Sequence, residues 1–147
     1  MALPVTDLDR SVAFYASYAA MQVVHRREGV VWLSICSSAP GKQGYVTGSE
    51  AKGLVKEKGA VPSRFLLDPE GTVGKSYGAK TTPHMFVIDP KGMVVYNGAI
   101  DDKPSTDVSD IAGAKNYVSS ALDEAMAGKP VTTASRAPYG CSVKYAN

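Results

Sequence analysis

The sequence predicts an α/β fold: a mixed sheet of about four or five strands flanked by helices on both faces. Three observations predict it. First, the apolar runs Val30-Val31-Trp32-Leu33-Ser34-Ile35 and Arg64-Phe65-Leu66-Leu67 are rich in strand formers and are separated by a stretch with helical spacing. Second, Met85-Phe86-Val87-Ile88 is stopped by Asp89-Pro90-Lys91-Gly92 and answered by Met93-Val94-Val95-Tyr96, the pattern of a hairpin. Third, an amphipathic helical stretch closes the chain before an irregular tail. Alternation of strand and helix ahead of a hairpin implies a mostly parallel sheet in which 93–96 is the antiparallel member.

The N-terminal elements come first. Thr6 or Asp7 is suited to cap a helix, Asp7 and Asp9 suit its positive end, and Leu8, Val12, Tyr15 and Ala19 fall on one face. A short strand before Thr6 and a helix reaching about residue 27 are therefore expected. Gly29 then punctuates, and the almost continuously apolar run 30–35 reads as a central strand ending at Cys36. Residues 37–44 are a loop by composition, and in open α/β sheets ligands sit at such strand ends. A helix is expected from Ser49 to Gly59, with Ala51, Leu54 and Val55 inward. A strand at 64–67, a turn at 68–71 and a short helix at 72–77 follow. Pro83 has no N–H for a ladder, so it belongs at the first residue of its strand, where the Thr82-Pro83 bond could be held cis. Residues 99–105 read as a polar loop. Asp107 or Ser109 is placed to cap the last helix, whose apolar stripe is Ile111, Ala114, Tyr117, Val118, Ala121, Leu122 and Ala125. Gly128-Lys129-Pro130 ends it, and 131–147 is an irregular tail carrying Cys141.

Composition narrows the function. A length of 147 residues suits one domain with one core, with 44% apolar and 20% charged residues. No apolar run approaches the roughly 20 residues of a membrane span, so a soluble chain with no membrane partner is expected. Sixteen basic against 14 acidic residues is too even for a nucleic-acid footprint. Two distant cysteines make neither a disulfide framework nor a metal motif, so the compartment stays open. No signal peptide is visible after Met1. No glycine-rich phosphate loop stands at a strand-helix junction, and no cofactor is implied.

Thr82-Pro83 before an apolar strand, Asp89-Pro90-Lys91-Gly92, a second strand and a closing helix resemble the C-terminal half of a thioredoxin-fold redoxin of the peroxiredoxin-like type, the alkyl hydroperoxide reductase and thiol-specific antioxidant group. The likeness covers about residues 29–147 and includes Phe65-Leu66-Leu67-Asp68-Pro69-Glu70-Gly71, Tyr77-Gly78-Ala79 and Tyr139-Gly140-Cys141-Ser142-Val143-Lys144-Tyr145. It implies a thioredoxin-like core at 29–128, a tail at 129–147 and thiol oxidoreductase or antioxidant chemistry. The family's defining cysteine, at the start of the first helix, has no counterpart here. Residues 1–28 instead resemble the opening of a vicinal oxygen chelate domain, the glyoxalase and bleomycin-resistance group, through Leu3-Pro4-Val5-Thr6-Asp7-Leu8 and Met21-Gln22-Val23-Val24-His25. The chain thus reads as a chimera with its N-terminal strand-helix unit replaced. That likeness places a metal ligand before Met1, and His25 alone cannot hold a metal, so no metal is expected.

The candidate catalytic residues are Cys36 and Cys141, with Thr82, Pro83 and His84 as the cis-proline loop. In the resemblance Cys141 matches a second, resolving thiol whose first partner is absent. Cys36 substitutes for it only if the two alpha carbons lie within about 7 Å. Otherwise Cys36 is a small buried apolar residue and Cys141 an idle tail thiol. His84 is either a structural histidine or a proton donor and substrate contact. Ser37 or Ser38 with His84 and Asp101 is a weaker, hydrolase-like set without a Gly-x-Ser-x-Gly elbow. The expected activity is weak or lost thiol exchange on a small-molecule or thiol substrate, abolished by Cys36→Ser and reduced by Cys141→Ser. The alternative is a catalytically silent binding module, with homodimerisation open in either case.

Overall fold

The computed structural model describes residues 11–16 and 28–146. Within them a five-stranded sheet runs in the order β3-β2-β1-β5-β6, built from β1 (Ser11–Ala16), β2 (Val30–Cys36), β3 (Arg64–Leu67), β5 (His84–Ile88) and β6 (Val94–Gly98). A separate two-stranded ribbon joins β4 (Thr81–Thr82) to β7 (Cys141–Ser142). The helices are α1 (Gly48–Glu57), α2 (Thr72–Tyr77) and α3 (Tyr117–Met126), with a 3-10 turn at Val108–Gly113.

The largest correction lies at the N-terminus. Residues 11–16, expected inside a helix, form the central strand, parallel to β2 and antiparallel to β5. Ser-Val-Ala-Phe-Tyr-Ala carries a β-branched residue and two aromatics that favour a strand. Pairing on both edges outweighs the i, i+3, i+4 pattern that those few apolar residues also satisfy. The other N-terminal expectations, a strand before Thr6 and a helix at 17–27, lie outside the described residues. A second correction follows from the first: β1 and β5 are antiparallel, so the five strands make two parallel and two antiparallel pairings, rather than a mostly parallel sheet.

Side chains alternate along β2 and β5 and split the core in two. Val30 and Trp32 pack with Met85, Val87 and Tyr96 against Val118, Ala121 and Leu122 of α3. Val31, Leu33 and Ile35 pack with Phe86 and Ile88 against Val73 and Tyr77 of α2, on the opposite face. Met85, Val87 and Tyr96 are fully buried, and the Tyr96 hydroxyl donates to the Ala99 carbonyl. A smaller cluster joins Cys36, Val46 and Ala51 to Leu54 and Phe65 beside α1.

Helix boundaries follow their caps. α1 starts one residue before Ser49 because Thr47 is its N-cap: Thr47 Oγ1 accepts the Glu50 N–H, and the Glu50 carboxylate accepts the Thr47 N–H at 2.7 Å. The last helix is shorter than its apolar stripe suggests. Asp107 caps only the 3-10 turn, and α3 restarts from Asn116, whose Oδ1 accepts the Ser119 N–H. Ile111 is consequently 69% exposed rather than part of the buried stripe.

The tail's backbone pairs first with β6. Ala134 O accepts the Asn97 N–H and Asn97 O accepts the Arg136 N–H, which covers the outer edge of β6. Gly98 makes this approach possible, since a Cβ there would collide with the Arg136 backbone. Beyond it, β7 crosses to the loop at residues 80–83.

Candidate active site

The candidate site is the ribbon between the cis-proline loop and the tail. The Thr82-Pro83 bond is cis, and Pro83 stands between β4 and β5, where its missing N–H costs no ladder bond. Thr81 Oγ1 donates to the Pro83 carbonyl at 2.7 Å. Across from this loop, Cys141 registers with Thr82 and Ser142 with Thr81, and the Val143 N–H donates to Lys80 O at 3.0 Å. Gly140, at φ +125°, lies so close that a Cβ would collide with the Thr82 carbonyl. The Gly-Cys order is therefore what lets the Cys141 backbone reach Thr82. Cys141 is exposed and free.

Cys36 is also free but is buried, 5% exposed, and its Sγ donates to the Gly44 carbonyl at 3.2 Å. The strand registers separate the two cysteines. Ile35 pairs with Ala16, and Ala16 with His84, so two strand spacings, about 10 Å, lie between β2 and the cis-proline loop. Cys36 also packs beside α1, whereas Ile35 faces α2.

His84 begins β5 and is buried. Its Nδ1 accepts the Lys80 N–H at 3.1 Å, so the neutral ring carries its proton on Nε2. Burial first, then the Lys80 charge, holds the imidazole below its ordinary value of 6.5. The ring stacks on Phe86 with centroids 4.5 Å apart. Nε2 has no hydrogen-bond partner among the described residues. His84 thus shapes the turn from Lys80 to Pro83 and keeps one buried N–H donor beside it.

The hydrolase-like set does not assemble. Ser37 Oγ donates to Asp68 Oδ2 at 2.7 Å, and the same oxygen accepts the Gly74 N–H. Asp101 accepts the Tyr139 hydroxyl instead. Between Ile35, Phe86, Tyr77 and Gly74 lies a cavity of about 10 Å³, room for one water rather than a substrate. Among the described residues no cluster of three or more His, Cys, Asp or Glu is placed to hold a metal, and no helix is long and apolar enough to cross a membrane.

Asp68 and Tyr145 also build this region, and nothing in the local sequence marks them as doing so. Both stood in quoted motifs, but their partners lie 31 and 66 positions away. Local pattern carries no record of such distances.

A mixed sheet with helices on both faces and a cis-proline loop at a strand start define a thioredoxin-like protein. The sequence profile of the Redoxin family matches residues 19–115, more than half of the chain, and the chain belongs to that family. The match begins ten residues ahead of Gly29. A crystal structure of a hypothetical protein from Sinorhizobium meliloti 1021 is similar, at 26% identity and a TM-score of 0.74, over 94% of this chain and 81% of that one. An uncharacterized conserved protein from Geobacillus kaustophilus shares the fold at 23% identity and a TM-score of 0.77, over 94% and 78%. The exposed lipoprotein thioredoxin Etrx1 of Streptococcus pneumoniae aligns at 17% identity and a TM-score of 0.42, over 61% and 74%. No curated protein matches the chain.

Proposed function

We propose that the protein is a single-thiol redoxin in which Cys141 performs slow thiol-disulfide exchange. The observation that carries this reading is the position of Cys141: a free, exposed thiol held in backbone register with Thr82, next to the cis proline. The Cys141 thiolate attacks one sulfur of a disulfide, forming a Cys141–S–S–R bond while the other sulfur leaves as a thiolate. An external low-molecular-weight thiol then attacks the mixed disulfide in the same way and restores Cys141. Cys36 does not serve as the resolving thiol, because its sulfur is buried and bonded to Gly44 O. Turnover is slow for that reason.

The roles expected of the two cysteines are thereby reversed. In an assay coupling a low-molecular-weight thiol to a small aromatic disulfide, Cys141→Ser abolishes turnover and Cys36→Ser retains it. Wild-type turnover no greater than that of Cys141→Ser would favour the silent-module reading instead.

A further inference from the structure

We infer that Tyr145 is the positioning residue of this site, a latch whose ring seats in a socket at Gly71 and Gly74 and so holds Cys141 against the cis-proline loop. This rests on Cys141 being the working thiol, but the latch itself stands on separate geometry. The socket is made by missing side chains. A Cβ on Gly71 would collide with the Tyr145 ring, and one on Gly74 would lie 2.7 Å from the Tyr145 hydroxyl. The hydroxyl donates to Ala79 O at 2.7 Å, and the Lys75 ammonium lies 5.5 Å from the ring centroid.

The bonds that flank Tyr145 show what the latch secures. Lys144 O accepts the Ala39 N–H at 2.8 Å, and Lys75 Nζ donates to Ala146 O. Two residues before Tyr145, the Val143 N–H donates to Lys80 O, and two further back Cys141 pairs with Thr82. A two-stranded ribbon of two residues per strand is too short to persist by itself. An aromatic anchor four residues along, half-buried and fixed by one hydrogen bond, supplies what the ribbon lacks.

The test is amide hydrogen exchange at Val143 in the full chain, with Ala121 and Leu122 of the core as internal reference. Tyr145→Ala is expected to speed Val143 exchange by about tenfold or more, roughly the loss of one net hydrogen bond, and to leave the reference amides unchanged. Gly74→Ala, which leaves the tail's own sequence intact and whose Cβ would meet Ser37 as well as the Tyr145 hydroxyl, is expected to do the same. Tyr145→Phe, which keeps the ring, is expected to recover most of the protection. Unchanged Val143 exchange in Tyr145→Ala, or a change that only parallels the core amides, overturns the latch. Because exchange does not depend on turnover, inactivity of Cys141 in the disulfide assay would leave this result standing. A seated latch in an inactive protein is thus distinguished from an unseated latch in an active one.

Discussion

Asp68 is the residue on which the inner wall of the site depends. One carboxylate oxygen accepts both the Ser37 hydroxyl and the Gly74 N–H, and all of this is buried. Asp68→Ala would leave two buried donors without an acceptor, at a cost of about 2 kcal/mol, whereas Asp68→Asn keeps an acceptor oxygen. Urea unfolding of the two variants should separate them, Asn standing nearer the wild type. His84 makes a prediction of its own. Its imidazole is held below 6.5, so the neutral form is what the folded chain keeps. That contribution is complete above pH 6.5 and is lost as the pH falls through the lower folded value. The stability gap between wild type and His84→Gln should therefore shrink on acidification, and a pH-independent gap would contradict this role. At this scale the sequence was partly legible. Thr82, Pro83, His84 and Cys141 could be picked out because each is chemically marked. The Ser37 partner could not, because several acids stand at plausible spacings and only the packing of α2 against β2 chooses Asp68.

Elements show where local pattern and tertiary pairing disagree. The strands β2, β3 and β5, the short helix α2 and the turn at 89–92 were readable from apolar runs and their punctuation. In that turn Asp89 Oδ1 accepts the N–H groups of Lys91 and Met93, as turn chemistry requires. β1 was not readable, since its six residues fit a helix face and a strand alike until β2 and β5 pair with both edges. The last helix was overextended for a related reason: Asp107 is a good cap, and only the chain's departure from helix near Ala114 shows that it caps a separate 3-10 turn. The join between β6 and the tail makes an element-scale prediction. Gly98→Ala should displace residues 134–136 from β6, raising protease sensitivity in that segment while Val143 amide protection persists. Loss of protection at both places together would mean that these two anchors are one unit.

Across the whole molecule, two apolar layers back a sheet whose outer edge at β6 is sealed by the tail, and the same tail continues to the site. The sheet and the site therefore share one covering segment. Met85 lies at the centre of the larger layer, fully buried, so Met85→Ala should cost about 2–5 kcal/mol in urea unfolding. Tyr96 sits in the same layer, and burial first, then the neighbouring Tyr117, pushes its hydroxyl up to about 12. Its stabilising contribution is present below its ordinary value of 10 and is lost as the pH rises through the folded one. Thermal midpoints should thus fall between about pH 10 and 12, and less steeply in Tyr96→Phe. The α/β class was legible at this scale because alternating strands and helices leave few other layouts. The tail's path over the site was not, because its anchors are backbone bonds, glycine clearances and single side-chain contacts such as the Tyr145 hydroxyl to Ala79 O, none of which leaves a periodic mark. Whether Cys141 is the working thiol is decided by reacting the native protein with a small aromatic disulfide and locating the adduct by mass spectrometry. A single early adduct on Cys141 is expected, with Cys36 modified only after unfolding. An early adduct on Cys36, or equal rates at the two cysteines, would contradict it.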